Sequence, residues 1–211
     1  MYAVEMQDLT KQYGSKTVVD GLNLKIEEGE FFAMLGSNGA GKTTTIKMLS
    51  CLVEPTAGDA LMLGYSIRKE EDAVKEMINV SPQETAVAPK LTVKENLEMI
   101  ARLYGFSKEE AVQKTEHLME TFDLTDKQHD RAKSLSGGWQ RKLSIAMALI
   151  SQPKILFLDE PTLGLDVRAR RELWKNIEQL KGKVTVILTT HYLEEAEALA
   201  DRLCIMDKGV V

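Results

Sequence analysis

The glycine-rich loop G-S-N-G-A-G-K-T-T, at residues 36–44, constrains the fold of this chain more than any other stretch. The apolar residues 30–35 before it have the length of a buried strand, and apolar side chains recur at helical spacing in residues 45–52 after it. A strand, a glycine loop and a helix in this order form a phosphate-binding P-loop. The sequence therefore predicts an anion site at this loop, formed by backbone N–H groups and the positive end of the helix dipole.

Two side chains of the loop make this prediction more specific. Lys42 offers a mobile positive charge to the β- and γ-phosphates of a nucleotide, and the Thr43 hydroxyl is suited to ligate Mg²⁺. A glycine-rich turn that matches the pattern by accident is the alternative, and the motifs described below disfavour it. The residues expected to surround the phosphates are Gly36, Ser37, Asn38, Gly39, Ala40, Gly41, Lys42, Thr43 and Thr44.

Length and composition exclude several classes of protein. A chain of 211 residues can form one substantial core, or one core with an inserted subdomain. The net charge of −5 gives no electrostatic reason to expect nucleic acid as a partner. No stretch approaches the roughly 20 apolar residues of a membrane span, and residues 1–6 do not resemble a signal peptide.

Cys51 and Cys204 show no metal-binding spacing, so we expect buried, reduced thiols in a cytosolic protein. A new apolar run begins just before Val211, so we expect the sequence to stop inside an element.

Secondary-structure patterns predict a single α/β domain over residues 1–211. Short β-rich segments at residues 2–9, 16–19 and 22–26, separated by glycines, favour an antiparallel start. After residue 152, strands and helices alternate, which favours a doubly wound parallel sheet. We therefore predict a P-loop NTPase core of the RecA-like type, formed by residues 1–83 and 152–211 and including an N-terminal antiparallel β subdomain.

The middle of the chain predicts an inserted helical subdomain at about residues 84–151. Thr92 with Glu95, and Ser107 with Glu110, have the spacing of capping boxes and each predict a helix start. A third helix is predicted from Gly137 or Gly138 to the residues before Pro153.

Two adjacent carboxylates follow the apolar strand at residues 155–158. Ligands bind at the carboxyl edge of an open α/β sheet, which is where Asp159 and Glu160 are expected to lie. Asp159 can reach Mg²⁺, directly or through water, and Glu160 can polarise a water for in-line attack on the γ-phosphate. The alternative is a pair of solvent-exposed acids at a strand end, which the P-loop in the same chain disfavours.

A second glycine motif, L-S-G-G-W-Q at residues 135–140, precedes a predicted helix. Ser136, Gly137 and Gly138 could form another anion site from a hydroxyl, bare amides and a helix N-terminus, or Ser136 could simply cap the helix. The pattern L-S-G-G-x-Q, between the P-loop and Asp159, resembles the signature of ATP-binding cassette (ABC) ATPases.

This resemblance extends over the whole chain and implies roles for further residues. Tyr13 resembles the aromatic residue that stacks on adenine, and Gln83 the Q-loop glutamine that contacts Mg²⁺ or the attacking water. Asp166, in G-L-D at residues 164–166, matches the D-loop, and His191 matches the switch histidine that contacts the γ-phosphate. Each also has a structural explanation, such as a strand-end tyrosine, a helix cap or a satisfied histidine. His117 and His129 are expected on the surface.

The resemblance also implies partners. Two cassettes, either two copies or this chain with a paralogous cassette, are expected to pair head to tail around two MgATP, so that Ser136, Gly137 and Gly138 act in trans. The pair would drive a membrane-spanning permease through a surface near residues 83–104, at the cytoplasmic face of the membrane. Residues 189–197 resemble cassettes of drug-, antibiotic- and polysaccharide-export permeases, although Val167 stands where many cassettes have proline.

The sequence disfavours two other classes of protein. ABC-type ATPases that act on DNA need a long coiled coil between P-loop and signature, and those that act on ribosomes carry two cassettes, whereas this chain has neither feature. A nucleotide-binding regulator without hydrolysis is disfavoured because Glu160 is present. The sequence therefore predicts an ATPase with ATP and Mg²⁺ as ligands and no nucleic-acid partner.

Overall fold

The fold contains two β-sheets. The computed structural model describes residues 1–211. The antiparallel sheet contains β1 (Tyr2–Tyr13), β2 (Lys16–Glu27), β4 (Ala57–Met62) and β5 (Tyr65–Ser66), in the spatial order β2-β1-β4-β5. The parallel sheet contains β3 (Phe31–Leu35), β6 (Ile78–Ser81), β7 (Ile155–Asp159), β8 (Thr185–Thr190) and β9 (Arg202–Ile205), in the order β6-β7-β8-β3-β9. The fold is thus the α/β class that the sequence predicts.

Seven α-helices accompany the sheets. They are α1 (Lys42–Leu49), α2 (Glu71–Met77), α3 (Val93–Leu103), α4 (Lys108–Thr121), α5 (Gly137–Leu149), α6 (Val167–Glu178) and α7 (Leu193–Leu199). Helices α3, α4 and α5 all lie between β6 and β7 in the chain, within the range predicted to be helical. The division into a core and a helical subdomain stays a prediction. No helix is long and apolar enough to cross a membrane.

The three central strands of the parallel sheet, β7, β8 and β3, are buried on both faces, and their side chains alternate between two cores. In β3, Phe31 and Ala33 pack into one apolar cluster with helices α3–α6, whereas Phe32 and Met34 pack into another with the antiparallel sheet and α1. Successive side chains of a strand point to opposite faces, so one short apolar run can serve two cores. This explains why β3 and β7 read as continuous apolar segments.

Strand β2 is the main local departure from the predicted elements. The sequence predicts two short segments separated by Gly21, but one strand runs from Lys16 to Glu27. Gly21 adopts φ +58° inside the strand, and the pairing with β1 shifts register nearby, from Leu9↔Leu22 to Lys11↔Val19. The prediction of a break was wrong because the glycine accommodates a bulge instead of a turn.

Both predicted capping boxes are present. Thr92 accepts a hydrogen bond from the Glu95 N–H at the start of α3, and the Glu95 side chain accepts one from the Thr92 N–H. Ser107 and Glu110 repeat this arrangement at the start of α4. Each box satisfies N–H groups that an uncapped helix end would leave unpaired.

The topology brings three functional segments to one edge of the parallel sheet. Leu35, the last residue of β3, pairs in register with Thr190 of β8, and Asp159 of β7 pairs with Thr189. Because parallel strands end on the same side, the loop after β3, the carboxylates after β7 and His191 after β8 converge there.

Candidate functional site

A cavity of about 240 Å³ lies at this edge, around the start of α1. Its lining combines the P-loop with three residues from elsewhere in the chain: Val18, Asn38, Gly39, Gly41, Lys42, Thr43, Thr44, Gln83 and Glu160. No side chain caps α1, and the backbone N–H groups of residues 41–44 donate no hydrogen bond within the chain. Four unpaired N–H donors at a helix N-terminus form a site for an anion such as a phosphate.

Glycines let the loop fit tightly against the end of the chain. Gly41 has φ +107°, and a Cβ there would lie 2.7 Å from the Val18 carbonyl oxygen and 2.8 Å from Met206 Cε. A Cβ on Gly36 would collide with the carbonyl oxygen of Met206. The P-loop therefore packs closely against Val18 and Met206, and the phosphate-binding pattern alone does not predict this contact.

Lys42 is buried, and its ammonium group contacts three oxygens. Nζ lies 2.7 Å from the Gly36 carbonyl oxygen, 3.0 Å from that of Ser37 and 3.2 Å from Glu160 Oε1. Its side chain is only 4% exposed, so the charge is held inside the site and does not extend into solvent. A buried lysine held by a carboxylate and two carbonyls at a P-loop has the position needed to bind phosphate oxygens.

Glu160 connects the P-loop lysine to the predicted switch histidine. One carboxylate oxygen pairs with Lys42, and the other lies 2.6 Å from His191 Nδ1. Glu160 adopts φ +48°, which is unusual for a residue with a side chain, and its N–H donates to the carbonyl and hydroxyl oxygens of Thr189. Strained backbone that neighbouring residues hold in place is typical of catalytic positions.

Asp159 and Thr43 lie together, as expected of a Mg²⁺ site. Thr43 Oγ1 is 3.1 Å from Asp159 Oδ1, and the Thr189 hydroxyl donates to the same oxygen at 2.6 Å. Hydroxyl and carboxylate oxygens are hard ligands that suit Mg²⁺. No group of three or more His, Cys, Asp and Glu side chains could hold a metal alone. A metal here would thus depend on a few protein oxygens together with phosphate oxygens.

Gln83 lines the same cavity, and Arg141 fixes its backbone. Arg141 Nη1 donates to the Pro82 carbonyl at 2.6 Å, and Nη2 donates to the Gln83 carbonyl. Burial lowers the pKa of the Arg141 guanidinium, an effect partly opposed by the charges of Asp159 and Glu195. The sequence analysis missed this residue. Its one signal was the basic pair Arg141–Lys142 inside α5, directly before the mostly apolar residues 143–150.

Other predicted site residues lie away from this cavity. Ser136 and Gly137 are exposed at the start of α5, where Ser136 makes no side-chain cap hydrogen bond. Tyr13 is 48% exposed at the end of β1 and is not among the lining residues. Asp166 caps α6 by accepting from the Ala169 N–H at 2.9 Å. The structure therefore groups the P-loop, Gln83, Asp159, Glu160 and His191, but not Tyr13, Asp166 or the signature residues Ser136, Gly137 and Gly138.

Comparison with known proteins places these features in one family. Residues 19–163 match the model of the ABC transporter family. The chain is 40% identical over 207 residues to the linearmycin resistance ATP-binding protein LnrL of Bacillus subtilis, covering 98% of this chain and 67% of that protein. It is 42% identical over 209 residues to the Nod factor export ATP-binding protein I of Paraburkholderia xenovorans, covering 98% and 68%.

A third relative and two solved structures agree with this assignment. The daunorubicin/doxorubicin resistance ATP-binding protein DrrA of Streptomyces peucetius is 42% identical over 210 residues, covering 99% of this chain and 64% of that protein. The chain thus spans about two thirds of the length of these relatives. The cbiO1 subunit of a Clostridium perfringens ABC transporter complex superposes with a TM-score of 0.91 at 26% identity, covering 100% and 86%. A dimeric ATP-binding cassette in a post-hydrolysis state with ADP and Pi gives 0.86 at 27%, covering 99% and 96%.

Proposed function

Since this chain belongs to the ABC transporter family and is one of its ATPases, we propose that it is the motor subunit of a membrane exporter. Two copies, or this chain and a paralogous cassette, close head to tail around two MgATP, and hydrolysis reopens them. The relatives named for drug resistance and Nod factor export support the choice of an exporter. The observation that carries the proposal is the contact series Lys42–Glu160–His191 beside four unpaired P-loop N–H groups.

The P-loop and Lys42 bind the triphosphate in this proposal. The N–H groups of residues 41–44 donate to phosphate oxygens, and Lys42 adds a charge to the β- and γ-phosphates. Phosphate oxygens compete for Lys42 with Gly36, Ser37 and Glu160, because one ammonium group has three N–H donors. Binding of the triphosphate is therefore expected to loosen the Lys42–Glu160 pair and leave the Glu160 carboxylate for a water molecule.

Glu160 and His191 serve the hydrolysis step. The Glu160 carboxylate accepts a proton from the attacking water, and His191, which contacts Glu160 through Nδ1, orients it and faces the γ-phosphate. Gln83 lines the same cavity and is placed to orient the water or the metal. Thr43 and Asp159 would hold Mg²⁺, which when bound neutralises charge that develops on the phosphates.

The signature residues complete the site of a second copy in this proposal. Ser136 and Gly137 are exposed, Ser136 makes no side-chain cap hydrogen bond, and neither residue reaches the P-loop of the same chain. A hydroxyl and bare N–H groups at the start of a 13-residue helix suit a γ-phosphate presented by another molecule. Asp166, exposed at the start of α6, is proposed to cross the same interface.

A groove beside Gln83 is proposed as the surface that receives the permease. Val80, Pro82, Ala86, Ile100 and Tyr104 line this groove, which has a volume of about 160 Å³. At the end of α3, Leu103 is 75% exposed and the adjacent Tyr104 is 52% exposed, and neighbouring exposed apolar side chains favour a contact with another protein. The chain would thus lie peripherally on the cytoplasmic face of the membrane. Cysteines placed at residues 86 and 103 should cross-link to a cognate permease, and consistent failure would contradict this surface.

Nucleotide binding and hydrolysis by three proteins test the proposed ATPase site. The parent should bind and hydrolyse MgATP, K42A should lose binding, and E160Q should bind but lose a factor of about 10²–10⁴ in turnover. Equilibrium dialysis with radiolabelled ATP measures binding, and phosphate release measures turnover. E194Q, at an exposed glutamate of α7, is the control and should behave as the parent does. Hydrolysis by E160Q at the parent's rate would contradict the role of Glu160.

A further inference from the structure

A fully buried carboxylate lies behind the site, on helix α7. Glu195 has 0% exposure, and one of its oxygens accepts a hydrogen bond from Trp174 Nε1 at 3.0 Å. The other oxygen, Oε2, is buried without any hydrogen-bond partner. A half-satisfied buried carboxylate costs stability, so stability alone does not account for its presence.

The groups around Glu195 come from the segment after β7, from β8 and from α6. Thr162 lies two residues after Glu160, Thr190 ends β8, and Arg170 and Trp174 lie on α6. The Thr162 hydroxyl and Arg170 Nε are also buried without partners. The charged groups that face Glu195 are Arg170 from α6 and Arg141 from α5.

A series of contacts leads from Arg170 to the proposed catalytic pair. The Arg170 guanidinium lies over the Tyr192 ring at 4.1 Å, and the Tyr192 and His191 rings are 4.0 Å apart. The Tyr192 N–H donates to Thr190 Oγ1 at 3.0 Å. His191 then contacts Glu160 at 2.6 Å. Glu195 thus holds α6 directly through its hydrogen bond with Trp174 and attracts the Arg170 guanidinium without a direct salt bridge. Arg170 in turn stacks on Tyr192, and Tyr192 packs against the ring of His191.

Burial and the neighbouring groups have opposite effects on the pKa of Glu195. Burial raises the pKa of Glu195 above its ordinary value of 4.5, whereas Thr190, Trp174, Thr162 and Arg170 oppose this by favouring the charged form. The carboxylate is therefore costly to keep charged, and the charge depends on the residues that link α6 to the loop of His191.

We propose that Glu195 is a positioning residue that holds the His191 loop against α6 and the Thr162 segment, so that His191 and Glu160 stay aligned during ATP hydrolysis. The inference rests on the proposed function of the Glu160–His191 pair. Glu195 makes no hydrogen bond with Glu160 and acts through Trp174, Arg170 and Tyr192. An error of about 1 Å in catalytic geometry can lower turnover by about 10²-fold, so this support is expected to matter for rate.

Two substitutions at Glu195 separate positioning from simple stability. E195M removes the unpaired oxygen and the charge while keeping similar volume, but it leaves the Trp174 N–H without its acceptor, so it should melt somewhat below the parent and still be folded at the assay temperature. Its turnover at saturating MgATP should nevertheless fall by about 10- to 100-fold, with little change in nucleotide affinity. E195Q keeps the volume and an acceptor for Trp174 but not the charge that attracts Arg170, so its melting temperature should stay close to the parent's and its turnover should lie between those of the parent and E195M.

The histidine ring signals supply a readout that a purely structural role would not move. The chain has only three histidines, so the ring proton–carbon NMR signals of His117, His129 and His191 can be assigned by substitution. E195M should shift the His191 signal and leave the other two unchanged, and E194Q should shift none.

The outcomes distinguish this inference from the proposed function. If E160Q hydrolyses ATP as the parent does, the proposed function fails, whatever Glu195 does. If E160Q is inactive while E195M and E195Q keep the parent's turnover and His191 signal, the positioning role is wrong. A loss of turnover in E195Q that merely follows a lower melting temperature and weaker ATP binding would also overturn it.

Discussion

At the scale of single residues, the proposed hydrolysis of ATP depends on the contact between Glu160 and His191. Their side chains meet at 2.6 Å, and Glu160 also holds Lys42 at 3.2 Å. The Glu160 carboxylate therefore links Lys42, which is proposed to bind phosphate, to His191, which is proposed to orient this carboxylate. Groups that act as a unit show non-additive effects when they are removed together.

A double-mutant cycle tests whether Glu160 and His191 act as such a unit. E160Q and H191A should each lower turnover of MgATP, and the double variant should be no slower than E160Q alone within about threefold. Phosphate release at saturating MgATP provides the measurement. Fully multiplicative losses would show that the two residues contribute independently.

A second prediction for a single residue concerns Gly209, which contacts the P-loop. Its N–H donates to the Ala40 carbonyl at 2.9 Å, and a Cβ there would crowd the Val18 carbonyl oxygen and lie 3.2 Å from Val19 Cα. G209A should therefore weaken MgATP binding, because the P-loop must shift to make room. G182A has a similar φ, +71°, with open space around it, and should cost only about 1–2 kcal/mol of stability.

Binding isotherms for the two glycine variants give the comparison. Nucleotide affinity should fall in G209A and stay at the parent's value in G182A. Equal affinities in both variants would show that the turn at Gly209 does not support the loop.

At the scale of elements, the capping boxes make helices α3 and α4 sensitive to acid. Hydrogen bonds from the backbone N–H groups of Thr92 and Ser107, and then from the hydroxyls of these residues, lower the pKa of Glu95 and Glu110 below the ordinary value of 4.5. A carboxylate whose pKa is lower in the folded state stabilises the fold above its unfolded pKa. This stabilisation is lost as the pH falls through the folded pKa.

Urea unfolding followed by circular dichroism at several pH values tests this effect. The parent should lose stability as the pH falls below about 4.5, and the E95Q/E110Q variant should lose less, since glutamine keeps the cap but does not titrate. E116Q, an exposed glutamate on α4, serves as the control and should follow the parent. Identical pH profiles for the parent and E95Q/E110Q would refute the role of the caps.

The elements themselves were largely predictable because their signals are local. A few adjacent residues suffice to identify each of three features: the P-loop, the capping boxes at Thr92 and Ser107, and the apolar strand before Asp159. Strand β2 was misread at Gly21, because a glycine in a strand signals either a turn or a bulge, and pairing with β1 decides between them.

The contacts that assemble the site were less predictable, because they join distant parts of the chain. Neither the Arg141 contact with the Gln83 carbonyl nor the Met206 contact behind Gly36 has a local pattern. The Trp174–Glu195 hydrogen bond likewise depends on how α6 and α7 pack. Family resemblance supplied the roles of Gln83 and His191, which the sequence patterns alone would leave as ordinary polar residues.

At the scale of the whole molecule, the site in one copy is proposed to be incomplete. The P-loop cavity contains Lys42, Gln83 and Glu160, whereas Ser136 is exposed elsewhere on the surface. A solved cassette of similar fold is dimeric, which supports pairing of two copies around the nucleotide. The central claim is therefore that the P-loop of one copy faces the Ser136 loop of the other.

Cross-linking between two differently labelled chains measures this arrangement directly. Both chains carry E160Q to retain ATP and lack Cys51 and Cys204; one carries N38C and the other S136C. With MgATP and a short bismaleimide, the mixture should form a covalent 38–136 dimer, and this product should disappear without MgATP or when K42A is added to the N38C chain. A mixture that forms no such product, or forms it equally without MgATP, would contradict the account.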